Sequence, residues 1–222
     1  MTAPTGLGAG HFETVPAAGP QRPVAATTAG RDTLPSMGKL VYCMNVSLDG
    51  YVETPDRSLD WTSVDEELHT WFADRIREED ALLYGRRLYE LMAAYWPTAE
   101  SDPAATDYMR DFALVWNPKP KVVFSSTLAR VDFNSRLARG EVGEQLALIR
   151  REFSGDLEVA GPNLAAQFIR AGLVDEYGLV VHPVILGAGT PFFPRLETPI
   201  RLRLVDSRNF PSGVRYLAYA AR

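Results

Sequence analysis

Five short apolar runs, Leu40–Val46, Ala81–Tyr84, Lys121–Ser125, Leu157–Ala160 and Tyr177–Pro183, are separated by segments whose apolar residues recur at helical spacing. In Asp65–Arg77 the recurring residues are Leu68, Trp71, Phe72 and Ile76; in Glu141–Phe153 they are Val142, Leu146, Ile149 and Phe153. Helices are also expected over Leu88–Tyr95, over Pro103–Val115 with a proline in the first turn, and over Pro162–Ala171, where Gly172 stops the pattern. Strands that short and apolar, alternating with helices, constrain the chain to an α/β fold. Its largely parallel sheet must be covered on both faces, giving three αβα layers. Ile200–Asn209 and Gly213–Ala221 face each other across Pro211-Ser212-Gly213, which predicts a closing antiparallel hairpin and makes the sheet mixed.

Residues 1–36 are rich in Ala, Gly, Pro and Thr and show no period, so they read as a flexible or irregular N-terminal tail. The texture changes at Met37, and residues 37–222 are expected to form one domain. Two readings of the tail stand side by side: Met37 as the true initiator, or a natural extension that packs on a neighbour. The net charge of −5 argues against a broad nucleic-acid surface. Cys43 is the only cysteine and there are three histidines, so neither an internal disulfide nor a metal site is expected. No apolar run is long enough to span a bilayer and no secretory signal opens the chain, which leads to the expectation of a cytoplasmic protein.

In such sheets ligands gather beyond the carboxyl ends of the strands. Three of these corners suit an anion: Gly85-Arg86-Arg87 after one strand, Ser125-Ser126-Thr127 after another, and Gly161-Pro162-Asn163 opening a helix after a third. Glycine permits close backbone approach, free amides at a helix start favour phosphate, arginine grips it bidentately and serine adds hydroxyl bonds. Each corner alone is equally ordinary turn and capping chemistry. Three on one rim point to a dinucleotide with an additional ribose phosphate.

SLDGYVE (47–53), ALLYGRRLYE (81–90), KVVFSSTL (121–128), EVAGPNLAAQFI (158–169) and GLVDEYGLVVHPVILGAGTPFF (172–193) together resemble the reductase domain of bifunctional riboflavin-biosynthesis deaminase–reductases. The resemblance runs from about Met37 to the C-terminus. It implies the dihydrofolate reductase fold and an NADPH-dependent reductase of a small planar heterocycle, with 5-amino-6-(5-phosphoribosylamino)uracil reductase-like or dihydrofolate reductase-like activity. It places Gly85 and Arg86 near the ribose 2′-phosphate with Arg87 assisting, and Ser125 and Ser126 beside the adenosine phosphate. Gly161, Pro162, Asn163 and Leu164 fall under the pyrophosphate and nicotinamide, and Gly187 with Gly189 in a later loop. It also implies a homodimer. The chain departs from the family's pattern at Leu88, where threonine is usual, at Cys43, where the riboflavin enzymes carry lysine, and at Val159, where they carry an acidic residue. No deaminase zinc signature occurs. The cofactor half therefore matches better than the acceptor half, which argues against the riboflavin intermediate as substrate.

For the acceptor half, position suggests Asp49 at the end of the first strand, Trp61 on the following loop as a pocket wall, and Glu66 (or Glu67) at the next helix start as proton donor or substrate anchor. Acidic residues in a first helical turn also simply complement the dipole, and Asp49 also suits a tight turn. Trp61 precedes Glu66 by five residues, as in dihydrofolate reductases; counting back from Trp71-Phe72 puts Leu68 at the carboxylate's place instead. His182, before Pro183, reads as a satisfied buried histidine. The competing reading is a non-catalytic, homodimeric dinucleotide- or ligand-binding module of the same fold.

Overall fold

In a computed structural model, residues 37–222 are described; the expectations for residues 1–36 lie outside them. The central strand is β1 (Leu40–Ser47). Its Leu40, Tyr42 and Val46 enter one apolar cluster and Val41 and Cys43 another on the opposite face, the two-residue period of a strand covered on both sides. Beside it lie β6 (Leu157–Ala160) and β7 (Glu176–His182). Outward from β6 follow β3 (Ala81–Gly85), β4 (Lys121–Phe124) and β5 (Ser135–Ala138), all parallel. Outward from β7 come β10 (Arg215–Ala221) and β9 (Leu202–Asn209), antiparallel as the hairpin pattern predicts. A separate two-stranded ladder joins β2 (Tyr51–Glu53) to β8 (Thr190–Pro191).

Helices α4 (Val142–Glu152) and α5 (Pro162–Arg170) bury Val142, Ile149, Leu164, Phe168 and Ile169 against one face. The other face is covered by α1 (Glu66–Glu78), α2 (Arg86–Ala99) and α3 (Asp107–Trp116), through Leu68, Ala73, Ile76, Tyr89, Phe112 and Trp116. α1 starts where its sequence says it should: the Asp65 carboxylate accepts from the Leu68 amide at 2.8 Å, capping the first turn.

Two boundaries differ from the sequence reading. Pro103 lies ahead of α3 rather than in its first turn. The Asp102 side chain accepts from the Ala104 amide and its carbonyl from the Ala105 amide, which holds 102–105 in a turn and delays the helix to Asp107. α2 begins two residues earlier than the apolar pattern suggests, at Arg86, and continues to Ala99.

α3 ends on a buried lysine. Lys121, 1% exposed, donates from Nζ to the carbonyls of Trp116 and Lys119, both at 2.7 Å, and of Asn117 at 3.3 Å. Burial pulls its pKa down to about 7, while three carbonyl acceptors at the negative end of the helix hold the ammonium in place. Between α1 and β6, Arg75 bridges Glu79 at 3.3 Å and Glu158 at 3.2 Å. Burial, reinforced in Glu79 by the neighbouring Glu158 charge, pushes both carboxyls above their ordinary range.

Candidate active site

The carboxyl rim is assembled by two helix starts lying side by side. α2 follows β3 with Gly85 as its cap and α5 follows β6 with Gly161 as its cap; neither has a side-chain capping bond, so the first amides of both helices are left unoccupied by caps. Tyr84 pairs with Ala160 across β3 and β6, which sets the two glycines together. Gly161 has φ 96°, and a Cβ there would stand 3.6 Å from the Leu88 Cβ. The positive φ calls for glycine, while the contact with Leu88 would be an ordinary one.

Beyond the ends of β3, β4 and β5 lies a cavity of about 530 Å³ lined by Arg86, Ser125, Ser126, Thr127, Arg139 and Leu164, among others. Arg86 donates from Nη1 to the Thr127 hydroxyl at 2.8 Å and pairs with Glu90 at 3.2 Å. The Ser125 hydroxyl accepts from the Thr127 and Leu128 amides at 3.2 and 3.0 Å, an ordinary turn that fixes the loop. Arg139 donates to the Ser125 carbonyl at 2.9 Å and to the Leu128 carbonyl, stitching this loop to the end of β5. Two guanidinium groups and three hydroxyls thus line one cavity, a donor set suited chemically to an anion. Arg139 was not singled out from the sequence. Arg139 directly follows an edge strand whose Ser-Arg-Leu-Ala is too polar to stand out.

The structure brings Arg86, Ser125, Ser126 and Leu164 to this cavity, and Gly85, Gly161, Pro162 and Asn163 to the adjoining helix starts. Arg87 turns the other way. It pairs with Glu53 at 2.6 Å, and Glu53 also accepts from the Thr190 hydroxyl at 2.6 Å, tying α2 to the β2–β8 ladder. Burial pushes the Glu53 carboxyl up, but Arg87 and Thr190 outweigh it and hold the group below the ordinary range. At Gly189, φ 146°, a Cβ would collide with the Glu53 carbonyl, so the ladder closes only on glycine.

Among the acceptor-half candidates, Asp49 is occupied. Its carboxylate accepts from the Ser47 hydroxyl at 2.7 Å, the Leu186 amide at 3.1 Å and the Gly187 amide at 2.7 Å. The Ser47 bond first, then the two amides, lower its pKa. It holds the loop carrying Gly187, and a carboxylate stabilised in its ionised form is poorly suited to donate a proton. Asp49 and Gly187 thus meet in a junction between loops. Glu66 is exposed and lines, with Glu67, Thr70, Trp71, Asp74 and Arg208, a second hollow of about 410 Å³ on the outer side of α1. The inward residue of that turn is Leu68, fully buried, while helix phase turns the Glu66 carboxylate outward.

Trp61 meets His182 edge-on, with ring centroids 5.4 Å apart. His182 is 1% exposed and bonds on both sides, accepting at Nδ1 from the Ser63 amide at 3.2 Å and meeting Asn45 Oδ1 through Nε2 at 2.9 Å. Burial pulls its pKa down to about 4. Among the described residues, no group of three or more His, Cys, Asp or Glu side chains is arranged to hold a metal ion, and no helix is long and apolar enough to cross a membrane.

Comparison with known proteins agrees with this architecture. The uncharacterized protein YyaP of Bacillus subtilis (strain 168) is 32% identical over 182 residues, covering 82% of this chain and 94% of its own. A crystal structure of a Shewanella sp. PV-4 protein, named for riboflavin biosynthesis, has a TM-score of 0.65 at 22% identity, covering 83% of this chain and 99% of its own. Dihydrofolate reductase from Enterococcus faecalis, complexed with NADP(H), has a TM-score of 0.58 at 15% identity, covering 85% and 99% of the respective chains. The fold is thus dihydrofolate reductase-like. The RibD C-terminal domain matches residues 38–216, and the chain belongs to that family.

Proposed function

We propose that this protein is an NADPH-dependent reductase that passes a hydride to a small planar acceptor. The observation that carries the reading is the single cavity joining Arg86, Arg139 and the Ser125–Thr127 hydroxyls beside two uncapped helix starts. Free amides and guanidinium groups fit a pyrophosphate flanked by a ribose phosphate. Family membership and the NADP(H) complex of the Enterococcus reductase support the same cofactor.

Bound NADPH would supply the hydride; the chain binds, orients and shields. The amides at Arg86 and from Asn163 onward would hold the pyrophosphate, Pro162 having no N–H to give. Arg86 and the Ser125–Thr127 loop hold the ribose phosphate, exchanging the Glu90 pair for a doubly charged partner. Gly161 lets the chain come close beneath the ring. Productive transfer requires the acceptor within about 3–3.5 Å of the ring carbon, which a rim of two converging helices can impose. Calorimetric titration tests the reading: NADPH should bind at least tenfold more tightly than NADH, and equal affinity would remove the cofactor assignment.

A second reading is favoured by one observation. Asp49 is engaged by two amides and Glu66 faces outward, so neither stands ready as an acid. A binding module that had lost catalysis would look this way, and it would bind NADPH without oxidising it in the presence of any acceptor.

A further inference from the structure

β1 and β7 run parallel, and Asn45 and His182 stand near their carboxyl ends, on neighbouring strands. The His182 ring is fixed by its two contacts. An amide N–H can donate only to a ring nitrogen bearing a lone pair, so the Ser63 bond leaves Nδ1 unprotonated. The neutral ring then carries its proton on Nε2 and donates it to Asn45 Oδ1. This settles the orientation of the Asn45 amide: oxygen toward the histidine, Nδ2 away from it. Asn45 is half-buried, and its Nδ2 has no acceptor among the described residues. Trp61, packed on the same histidine, has a buried Nε1–H that also lacks a partner.

The spot therefore holds one half-buried hydrogen-bond donor, Asn45 Nδ2, without a partner among the described residues. The nearby carboxylates already accept structural bonds: Asp49 from Ser47, Leu186 and Gly187, and Asp65 from the Leu68 and Ser212 amides. An acceptor ring that presents paired N–H groups, such as a diaminopyrimidine, needs a carboxylate to receive them. A ring that presents a carbonyl oxygen needs an N–H donor.

We propose that Asn45 determines acceptor specificity by donating from Nδ2 to a carbonyl oxygen of the hydride acceptor, with His182 as the positioning residue that orients the amide. This deepens the reductase reading and rests on it. In the reaction, the carbonyl carbon takes a hydride from NADPH, which is oxidised to NADP⁺. The C=O π pair moves to oxygen, where Asn45 stabilises the developing charge, and a proton from water completes the alcohol. The substrate class is a neutral cyclic ketone or quinone rather than an amidine-bearing heterocycle.

Two probes separate these classes: menadione, which presents carbonyls only, and trimethoprim, which presents a diaminopyrimidine edge. Affinities are measured on the NADP⁺ complex and menadione turnover on the NADPH complex. The wild-type protein should bind menadione at least about tenfold more tightly than trimethoprim. Asn45→Asp should reverse that preference, with NADPH affinity unchanged within about twofold. His182→Gln, which retains an N–H, should keep the preference; His182→Phe should lose it and lower menadione kcat/KM about tenfold, with the thermal midpoint recorded alongside. A preference for trimethoprim in the wild-type protein, binding of neither probe, or an unchanged preference in Asn45→Asp overturns the inference. So does an Asn45→Asp loss confined to NADPH, which would place the amide on the nicotinamide. Failure of the wild-type protein to bind NADPH is a different result and brings down the reductase reading itself.

Discussion

The Arg87 guanidinium lies 2.6 Å from the Glu53 carboxylate, while the adjacent Arg86 reaches the Thr127 hydroxyl on the other side of the first turn of α2. Consecutive residues on a helix point about 100° apart, so the two arginines cannot share one phosphate without distorting the turn. Arg86→Ala should raise the NADPH dissociation constant about 10- to 100-fold, the loss of one or two charge-assisted bonds, and leave NADH within about twofold. Arg87→Ala should leave both affinities nearly unchanged and cost about 1 kcal/mol of stability, its side chain being half-exposed. Calorimetry and urea unfolding of the two single variants separate these effects.

His182 makes stability depend on pH in a definite direction. Its folded pKa of about 4 lies below the ordinary 6.5, so between those values the unfolded chain binds more protons and stability falls as pH falls. The contribution is fully present above pH 6.5 and amounts to about 3 kcal/mol lost by pH 4. The unfolding free energy of His182→Gln, measured from pH 7 to pH 4, should decline less steeply than that of the wild-type protein. Parallel curves would contradict a neutral, buried ring.

The two carboxyls sharing Arg75 predict the opposite slope. With the Glu79 pKa raised, the folded chain holds the proton longer, and stability falls as pH rises from the ordinary carboxylate range through the folded value. Glu79→Gln removes one of two competing charges and should match or exceed wild-type stability at pH 8. Arg75→Met leaves Glu158 without its counter-charge and should cost about 3–5 kcal/mol. Denaturation at pH 6 and pH 8 decides the signs.

Lys121→Met should cost about 2–4 kcal/mol, because one buried and two part-buried carbonyls at and just beyond the end of α3 lose their donor together. The NADPH affinity should change little, since Lys121 stands at the opposite end of β4 from the Ser125–Thr127 loop. Urea unfolding and calorimetry on the same preparation report both quantities.

The five central strands are readable from sequence because burial on both faces leaves them almost wholly apolar. β5 is not: it lies at the sheet edge, paired only to β4, and Ser135 and Arg136 dilute its pattern. Missing it hid Arg139. β2 and β8, three and two residues long, are too short to show a period. The glycine corners at Gly85 and Gly161 were legible because each glycine stands between an apolar run and a helical pattern, and at Gly161 the positive φ itself calls for glycine. What Arg86, Arg87 and Glu66 touch was not, since a side chain's direction depends on helix phase, and one residue of phase separates a cavity wall from an ion pair. Asn45 left a faint trace: a lone amide in an otherwise apolar strand, with a histidine in a second apolar strand that pairs beside it.

Asp49 belongs to the turn after β1, yet both its oxygens are spent on the segment after β7, at Leu186 and Gly187. The two connections flanking the mouth are therefore latched by one side chain. A shift of either connection would have to carry the other with it or break these two bonds first.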